Sequence, residues 1–399
     1  MVRVDMVTKY GNTINITGKI DSNNAKRFED ELLAAVGGDA DTVILDAKEL
    51  EYISSAGLRV LLKLKKNTKG TVSVINVSPE VYDIFSVTGF DSILEVKKAI
   101  REIDVTGCEV IGQGGNGTVY RLDEDTIVKV YRPTVKLEQI EREREFAKNA
   151  LVNGIPCVIA YDVVRCGESY GIVFEMLKSD TLGHAMQAYP EKFEEYVEKY
   201  VALAKELHSA ELDENTFTSI KTVLHGRVPR LARWCSEEEL KLIDSLIDEL
   251  PDSKSLIHGD FHPGNIMIQD GELLLIDMPE VTIGPKIWDI AAVYRDLISA
   301  PQNPSDEIVS MLEKSIGMPK ELILKTGYRF FELYTGITDR EKLETYFKSL
   351  GLIYAFNVVL VTGSGSPRAE ASADAIMDRL LRKTVIPNEQ TLRQLLSSR

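Results

Sequence analysis

Polar residues that could take part in a chemical reaction are concentrated in Ile257–Ile268, which reads IHGDFHPGNIMI. One residue separates His258 from Asp260, and Asn265 follows Asp260 by five positions. A carboxylate such as Asp260 can orient a hydroxyl group and accept its proton, while the amide oxygen of Asn265 suits Mg²⁺. An apolar run then ends at Asp277, which offers a second oxygen ligand. These are the groups that phosphoryl transfer requires.

A glycine-rich segment precedes Asp260, Asn265 and Asp277 in the sequence. Ile111–Tyr120 reads IGQGGNGTVY, with Gly112, Gly114 and Gly117 in GxGxxG spacing. Dinucleotide-binding sites share this spacing, but there a helix follows the glycines directly. Here a second strand, Ile127–Val130, follows, so we predict a β-hairpin whose glycine tip lets backbone amides approach phosphate groups. A glycine-rich turn without a ligand is the alternative that this motif alone leaves open.

A lysine and a helical glutamate form the third signal. Lys129 lies between apolar strand residues, and Glu145 follows 16 positions later on a charged helix. A carboxylate on this helix would hold Lys129 towards the α- and β-phosphates of a nucleotide. We choose Glu145 on spacing, with Glu141 and Glu143 on the same helix as alternatives.

The elements that must position these residues change in character along the chain. Strand-rich sequence at Glu109–Val130, a helix at Val135–Val152 and strands near Val158–Val164 and Tyr170–Leu177 are followed by mainly helical sequence from Leu182, interrupted by a β-like stretch at Ile257–Ile276. A small β-rich lobe before a larger helical lobe is typical of kinases.

Residues 109 to about 300 resemble the aminoglycoside phosphotransferase and choline kinase family, which has the protein-kinase-like fold. The family's catalytic loop resembles His258-Gly259-Asp260 through Asn265, its metal-binding acid resembles Asp277, and its WD-containing helix start resembles Trp288-Asp289. The resemblance implies ATP and Mg²⁺ as cofactors, Asp260 as the catalytic residue, and Asn265 and Asp277 as metal ligands. It makes His258 and Asp289 structural residues.

The same resemblance implies the remaining nucleotide contacts. Gly112, Gly114, Gly117, Lys129 and Glu145 would contact or position the ATP phosphates, and the adenine would lie against the hinge, with Glu175 and Leu177 at its ends and Phe174 at the gate position.

Two departures from protein kinases favour a small-molecule acceptor with a hydroxyl group. Protein kinases carry a lysine two places after the catalytic aspartate, where this chain has His262, and only 11 to 12 positions separate Asp277 from Trp288-Asp289. That gap is too short for a peptide-docking activation segment. An acidic lining would suit an acceptor that contains an amine.

The first hundred residues alternate strands with helices, which predicts an α/β domain. The expected elements are a hairpin of Val2–Val7 and Thr13–Thr17 around Gly11-Asn12, helices at Ala25–Val36, Leu58–Leu64 and Pro79–Phe85, and strands at Thr42–Leu45, Val72–Val77 and Ile93–Val96.

Residues 2–98 resemble the STAS domain of anti-sigma-factor antagonists, most clearly at Leu50–Leu62, LEYISSAGLRVLL. Matching Gly57-Leu58 to the family places Ser55 at its phosphorylatable serine, with Ser54 in place of the usual aspartate. The resemblance implies an anti-sigma-factor-like protein partner. A serine that only caps the following helix is the alternative.

We therefore expect an α/β STAS domain plus an α+β bilobal protein-kinase-like domain. Its parts would be residues 1–100 (STAS), 101–108 (linker), 109–177 (β-rich lobe) and 178–399 (helical lobe).

Composition limits the partners. The formal net charge of -15 disfavours nucleic acid. The expected location is the cytoplasm, without a membrane partner, because the start lacks a signal sequence and no apolar run approaches the ~18 residues that span a bilayer. The four cysteines show no CxxC pairing and are expected as buried thiols.

We expect an ATP-dependent small-molecule kinase with a regulatory STAS module. The alternatives are a partner-switching regulator that uses the kinase fold as a nucleotide sensor, and a protein kinase that phosphorylates its own Ser55.

Overall fold

The computed structural model describes residues 6–10, 13–37, 41–114, 117–214, 216–278, 281–364 and 370–397. The chain forms two compact units: Met1–Asp104 with Val164–Gly167, and Val105–Val163 with Glu168–Arg399. The predicted limits of the linker and of the two lobes are finer than this division and stay predictions.

The first unit contains a five-stranded sheet whose strand order follows the sequence. The first two strands are antiparallel and the other neighbours are parallel, so helices must connect them. The strands are Val7–Tyr10, Thr13–Ile20, Val43–Ile53, Val72–Val77 and Glu95–Lys98, and the helices are Ala25–Val36, Ser55–Asn67 and Pro79–Val87, with a 3₁₀ turn at Phe90–Ser92. A two-residue strand, Arg101–Glu102, pairs with Val164–Arg165.

The helices of this unit begin and pack as their sequences direct. Phe28 and Leu32, one turn apart on Ala25–Val36, are fully buried. Pro79 occupies the first turn of its helix, and the preceding Ser78 accepts a hydrogen bond from the amide of Val81. These helices confirm the predicted alternation of helix and strand.

Two strands differ in their bounds from the predictions, and the strand expected at Ile93–Val96 begins two residues later, at Glu95–Lys98. The strand expected at Thr42–Leu45 extends to Ile53, because β-bulges against Thr13–Ile20 interrupt its period-two pattern. The predicted turn Gly11-Asn12 and most of Val2–Val7 lie outside the described residues.

The β-rich lobe of the second unit carries the predicted hairpins. Its strands are Val110–Gln113, Gly117–Arg121, Thr126–Tyr131, Ser169–Glu175 and the first part of Ala160–Cys166, whose last three residues belong to the first unit, and its helix is Leu137–Val152. Ser169–Glu175 lies between Ala160–Cys166 and Thr126–Tyr131 in the sheet. Thr126–Tyr131, the strand that carries Lys129, pairs on its other edge with Gly117–Arg121. It is therefore an interior strand, which gives that side chain a fixed backbone.

The remaining sequence is mainly helical, as predicted. Its α-helices are Leu182–Ala188, Phe193–Ser209, Ile220–Arg227, Glu237–Asp248, Ile287–Tyr294, Asp306–Ile316, Lys320–Thr335, Arg340–Thr362, Ala373–Ile376 and Glu389–Leu396. Short 3₁₀ turns lie at Pro190–Lys192, Val228–Arg233, Pro263–Asn265, Ala300–Gln302 and Ile386–Asn388, and π-helical segments at Arg295–Ser299 and Met377–Val385. Two antiparallel strand pairs interrupt the helices: Leu256–Ile257 with Thr282–Ile283, and Ile266–Gln269 with Glu272–Leu275.

One helix, Arg340–Thr362, is long and apolar enough to meet the length and composition criteria for crossing a membrane. Half of its most apolar window is buried, and Ile353 and Phe356 pack in the hydrophobic core of the helical lobe. Core helices of soluble proteins often meet the same criteria, so this is weak evidence for a membrane span.

All four cysteines are free thiols. Cys157 and Cys166 are buried, whereas Cys108 and Cys235 are only half-buried, which corrects the prediction that all four are buried.

Candidate active site

The predicted catalytic loop, residues 258–265, lies between two short strands and is anchored in the core. It leaves the strand Leu256–Ile257 and ends in the 3₁₀ turn Pro263–Asn265. Phe261 is fully buried, and the hydroxyl of the buried Tyr200 donates to its carbonyl oxygen at 2.8 Å. This apolar anchor leaves the neighbouring Asp260 side chain 51% exposed.

Asp289 is fully buried and holds the start of this loop. Its carboxylate accepts the amide of Gly259 at 2.8 Å and the amide of His258 at 3.3 Å, and His208 Nε2 lies 3.3 Å from its Oδ2. Burial alone would raise the pKa of Asp289, but the bond to His208 and the charges nearby lower it. The carboxylate therefore acts as a fixed anion beneath the backbone, where it braces the loop.

His258 is buried and faces away from solvent. Its Nδ1 accepts the amide of Asp260 at 3.3 Å, and burial lowers its pKa. This buried imidazole bonds the loop's own backbone and therefore supports the structure of the loop.

Donors surround the Asp260 carboxylate. Asn265 Nδ2 donates to Oδ2 at 3.0 Å, Arg295 Nη2 donates to Oδ1 at 2.8 Å, and His262 Nε2 lies 3.6 Å from Oδ2. Burial works to raise the pKa of Asp260, but His262 and Arg295 outweigh it and hold the pKa well below its usual value. Asp260 is thus ionised and can accept a hydrogen bond from a hydroxyl group.

Asn265 and Asp277 lie close together. The carbonyl of Asn265 accepts the amide of Ile276, the neighbour of Asp277. Because Asn265 Nδ2 donates to Asp260, its Oδ1 is left as an acceptor. Asp277 adopts a left-handed backbone (φ 56°), a strained conformation of the kind found at functional sites.

This pair fits a magnesium ion. Asp277 Oδ1 accepts a hydrogen bond from Lys129, and Oδ2 has no hydrogen-bond partner within the described part of the chain. Mg²⁺ usually takes one or two protein oxygens and completes its shell with water and phosphate. No group of three His, Cys, Asp or Glu side chains in the described residues could hold a metal by itself, so a bound nucleotide would have to complete the site.

Lys129 connects the two lobes of the second unit, but its helical partner differs from our choice. Lys129 Nζ lies 2.9 Å from Glu143 Oε1 and 2.5 Å from Asp277 Oδ1. The Glu143 side chain is 6% exposed, whereas Glu145 is 48% exposed and pairs with Arg144 and Lys148. Side chains two positions apart on a helix point in directions that differ by about 200°, so only one of Glu143 and Glu145 can face the strand that carries Lys129. Glu143, one of the alternatives, replaces Glu145.

The predicted glycine hairpin forms between Val110–Gln113 and Gly117–Arg121; its tip, Gly115 and Asn116, lies outside the described residues. At Gly117 a Cβ atom would lie 2.2 Å from the carbonyl oxygen of Val130, so this glycine is required for close strand packing beside Lys129. Gly112 and Gly114 have no such conflict, so packing does not explain their choice.

At the predicted hinge, the side chain of Glu175 and the backbone amide of Met176 both form hydrogen bonds within the protein. Glu175 Oε1 accepts the amide of Ile159 at 2.7 Å, and the amide of Met176 donates to the carbonyl of Asp125 at 2.7 Å. Leu177 is buried. The Glu175 side chain therefore fixes the strand end, and its contact with adenine stays a prediction.

In the first unit, Ser54 and Ser55 have different positions. Ser54 is the N-cap of helix Ser55–Asn67 and accepts the amide of Gly57, while Ser55 is exposed in the first helical turn. The capping role therefore belongs to Ser54, and the Ser55 side chain is open to solvent.

Sequence reasoning missed Arg295, Asp296 and His208. Arg295 follows the WD pair by only six residues, and His208 lies in a helix of ordinary amphipathic character. Nothing in the local sequence distinguishes His208 from other core residues. For Arg295 and Asp296, the one available signal was a charged pair that follows an apolar helical run.

Comparison with known proteins covers both units. The STAS domain family model matches residues 3–103, and the phosphotransferase enzyme family model, APH, matches residues 107–313. A curated relative, "Putative anti-sigma factor antagonist BtrV" of Bordetella bronchiseptica, is 39% identical over 84 residues, which are 20% of this chain and 72% of the relative.

Solved structures give a weaker likeness. A streptomycin–ATP–APH(2″)-IIa ternary complex is 16% identical, with a TM-score of 0.41 over 80% of this chain and 99% of that one. A choline/ethanolamine kinase family protein from Mesorhizobium loti is 14% identical, with a TM-score of 0.44 over 73% and 93%. The family models, one of which spans more than half of the sequence, show that this chain belongs to the APH phosphotransferase enzyme family and carries an N-terminal STAS domain.

Proposed function

We propose that this protein is an ATP- and Mg²⁺-dependent phosphotransferase that acts on a hydroxyl group of a small molecule. One observation carries the proposal: continuous contacts run from Lys129 to Asp277, through Ile276 to Asn265, and on to Asp260. This series supports a phosphate-binding cation, two metal ligands and an ionised carboxylate acting in one site.

Each side chain then has a role in the transfer. Lys129, oriented by Glu143, binds the α- and β-phosphates, and the glycine hairpin covers them. Asn265 and Asp277 would hold Mg²⁺, which neutralises charge on the phosphates. Asp260 accepts the hydrogen bond of the acceptor hydroxyl and orients its oxygen for attack on the γ-phosphorus.

The short connection that follows Asp277 favours a small acceptor. Between Asp277 and the helix that begins at Ile287, the chain forms a two-residue strand, Thr282–Ile283, which pairs with the strand before the catalytic loop. This compact connection supports a metabolite over a docked peptide. An amine on the acceptor is compatible with the acidic chain but is not required by any contact at Asp260.

We propose further that the STAS domain regulates the enzyme through a protein partner in the cytoplasm. The relative named as an anti-sigma factor antagonist supports such a partner. The exposure of Ser55 favours a second candidate, in which Ser55 itself receives the phosphoryl group.

Labelled ATP and Mg²⁺, with a panel of hydroxyl compounds with and without amines, test the proposed small-molecule phosphotransferase and the second candidate, transfer to Ser55. Asp260→Ala should lower transfer by at least about 10²-fold, because it removes the proton acceptor. Label on a metabolite supports the first proposal, and Ser55-dependent label on the protein supports the second candidate. Binding of ATP without Asp260-dependent turnover would contradict both and leave a nucleotide sensor.

A further inference from the structure

Arg295 joins two carboxylates at the catalytic loop. Its Nη2 donates to Asp260 Oδ1 at 2.8 Å and to Asp296 Oδ2 at 2.5 Å, and its Nε donates to Asp296 Oδ1 at 2.6 Å. Asp296 is buried, and the Arg295 side chain is 27% exposed. Two bonds to Asp296 therefore fix the guanidinium, which reaches Asp260 with one more.

Both oxygens of Asp260 have a fixed donor. Asn265 Nδ2 binds Oδ2, while Arg295 Nη2 binds Oδ1. Together these bonds restrict rotation of the carboxylate about its Cβ–Cγ bond. Each carboxylate oxygen accepts about two hydrogen bonds. Oδ1 can therefore bind Arg295 and the acceptor hydroxyl at the same time.

The backbone around Arg295 is unusual. The helix Ile287–Tyr294, which carries Asp289, continues as a π-helical segment, Arg295–Ser299. Such segments are rare and are often found at functional sites. One continuous element thus presents Asp289 to the amides of the catalytic loop and Arg295 to its carboxylate.

Arg295 also supplies the permanent positive charge at this position. The residue two places after Asp260 is His262, and among the described residues no other arginine or lysine is hydrogen-bonded to Asp260. The competing interpretation is an ion pair that stabilises the helix end without affecting chemistry.

We propose that Arg295, anchored by Asp296, is a positioning residue that fixes Asp260 for the acceptor hydroxyl. The inference rests on the proposed phosphotransferase function. Loss of Arg295 leaves the carboxylate free to rotate, so the acceptor oxygen is less often aligned with the γ-phosphate. Because Arg295 acts through Asp260, its loss should matter only while Asp260 is present.

The test compares Arg295→Gln, Arg295→Lys and Asp260→Ala, alone and combined, in the full-length protein with ATP and Mg²⁺. The acceptor is the most active panel compound, or water, followed as phosphate release. Arg295→Gln should lower kcat about 10- to 100-fold and change the KM for ATP by less than about threefold. The kcat of Arg295→Lys should lie between those of the wild-type protein and Arg295→Gln, because an ammonium group keeps the charge but lacks the two-pronged geometry of a guanidinium.

Arg393→Gln is the matched control, because Arg393 bridges Glu249 and Glu389 in the helical lobe at similar exposure. It should leave kcat within about twofold. In the Asp260→Ala background, Arg295→Gln should have no further effect on kcat. A wild-type kcat for Arg295→Gln, or equal losses with and without Asp260, would overturn the inference while the phosphotransferase function stands.

Absence of Asp260-dependent turnover in the wild-type protein would instead contradict the proposed function. Crystal structures of the wild-type and Arg295→Gln proteins then decide on the inference. A rotated or disordered Asp260 carboxylate in the variant supports positioning by Arg295, and an unchanged carboxylate overturns it.

Discussion

The direction of a single side chain decides which glutamate serves Lys129. Glu143 and Glu145 lie on the same helix and have the same charge, yet only Glu143 is buried against the lysine. The bonds of Lys129 to Glu143 and Asp277 raise its pKa against the opposing effect of burial. Lys129 is therefore a permanent cation, as phosphate binding requires.

We predict that Glu143→Gln lowers kcat/KM for ATP about 10- to 100-fold, because a charge-assisted hydrogen bond contributes about 1.5–3 kcal/mol. Glu145→Gln, its matched control two residues away, should change kcat/KM by less than about twofold, since exposed ion pairs contribute roughly 0–1 kcal/mol. Steady-state kinetics at varied ATP concentration check both variants. Equal effects at the two positions would show that the described pairing is not the functional one.

At the scale of elements, the catalytic loop depends on close approach between backbones. A Cβ atom at Gly264 would lie 2.1 Å from the carbonyl oxygen of Ser315, at the end of helix Asp306–Ile316. Backbone atoms have no alternative rotamer, so the loop or the helix end would have to shift. The position of Asn265, the next residue, is thereby coupled to a helix about fifty residues later.

We predict that Gly264→Ala lowers the free energy of unfolding by about 1–3 kcal/mol, as overpacking does elsewhere, and reduces turnover. Gly226→Ala provides the contrast. Gly226 is exposed in helix Ile220–Arg227, and no atom lies within 4 Å of the position that an alanine methyl group would occupy there. Gly226→Ala should therefore stabilise the protein by about 0.5–1 kcal/mol. Chemical denaturation measures the free energy of unfolding of both variants. An unchanged free energy of unfolding for Gly264→Ala would argue against the close packing.

At the scale of the whole molecule, the hydrophobic cores are built from separate parts of the sequence. One core draws its buried residues from Met6 to Leu94, and two further cores draw theirs from Ala150 to Leu396. Leu61 is fully buried in the first and Phe356 in one of the others. Each unit therefore has the apolar core that a cooperative folding unit needs.

We predict two thermal transitions for the full-length protein. Leu61→Ala should lower the temperature of one, and Phe356→Ala the other, because each removes about 2–5 kcal/mol of core packing. Differential scanning calorimetry distinguishes them. A single transition that both substitutions lower equally would mean that the units unfold together.

The sequence by itself determined the fold class, through strand and helix periodicity, and its motifs resemble the STAS and phosphotransferase families that the family models then show. Motif order also predicted the set Asp260, Asn265, Asp277 and Lys129. Periodicity and motif order are local properties of the chain. Helix Ala25–Val36 was predictable to the residue for this reason.

Tertiary structure alone decided the contacts between distant segments. The bond between Lys129 and Asp277 spans 148 residues, and the bond between Asp260 and Arg295 spans 35. The choice of Glu143 over Glu145 depends on how the helix is rotated against the sheet, and the role of Arg295 depends on where a π-helical turn places it. Packing of one element on another sets both, and no local pattern in the sequence encodes that geometry.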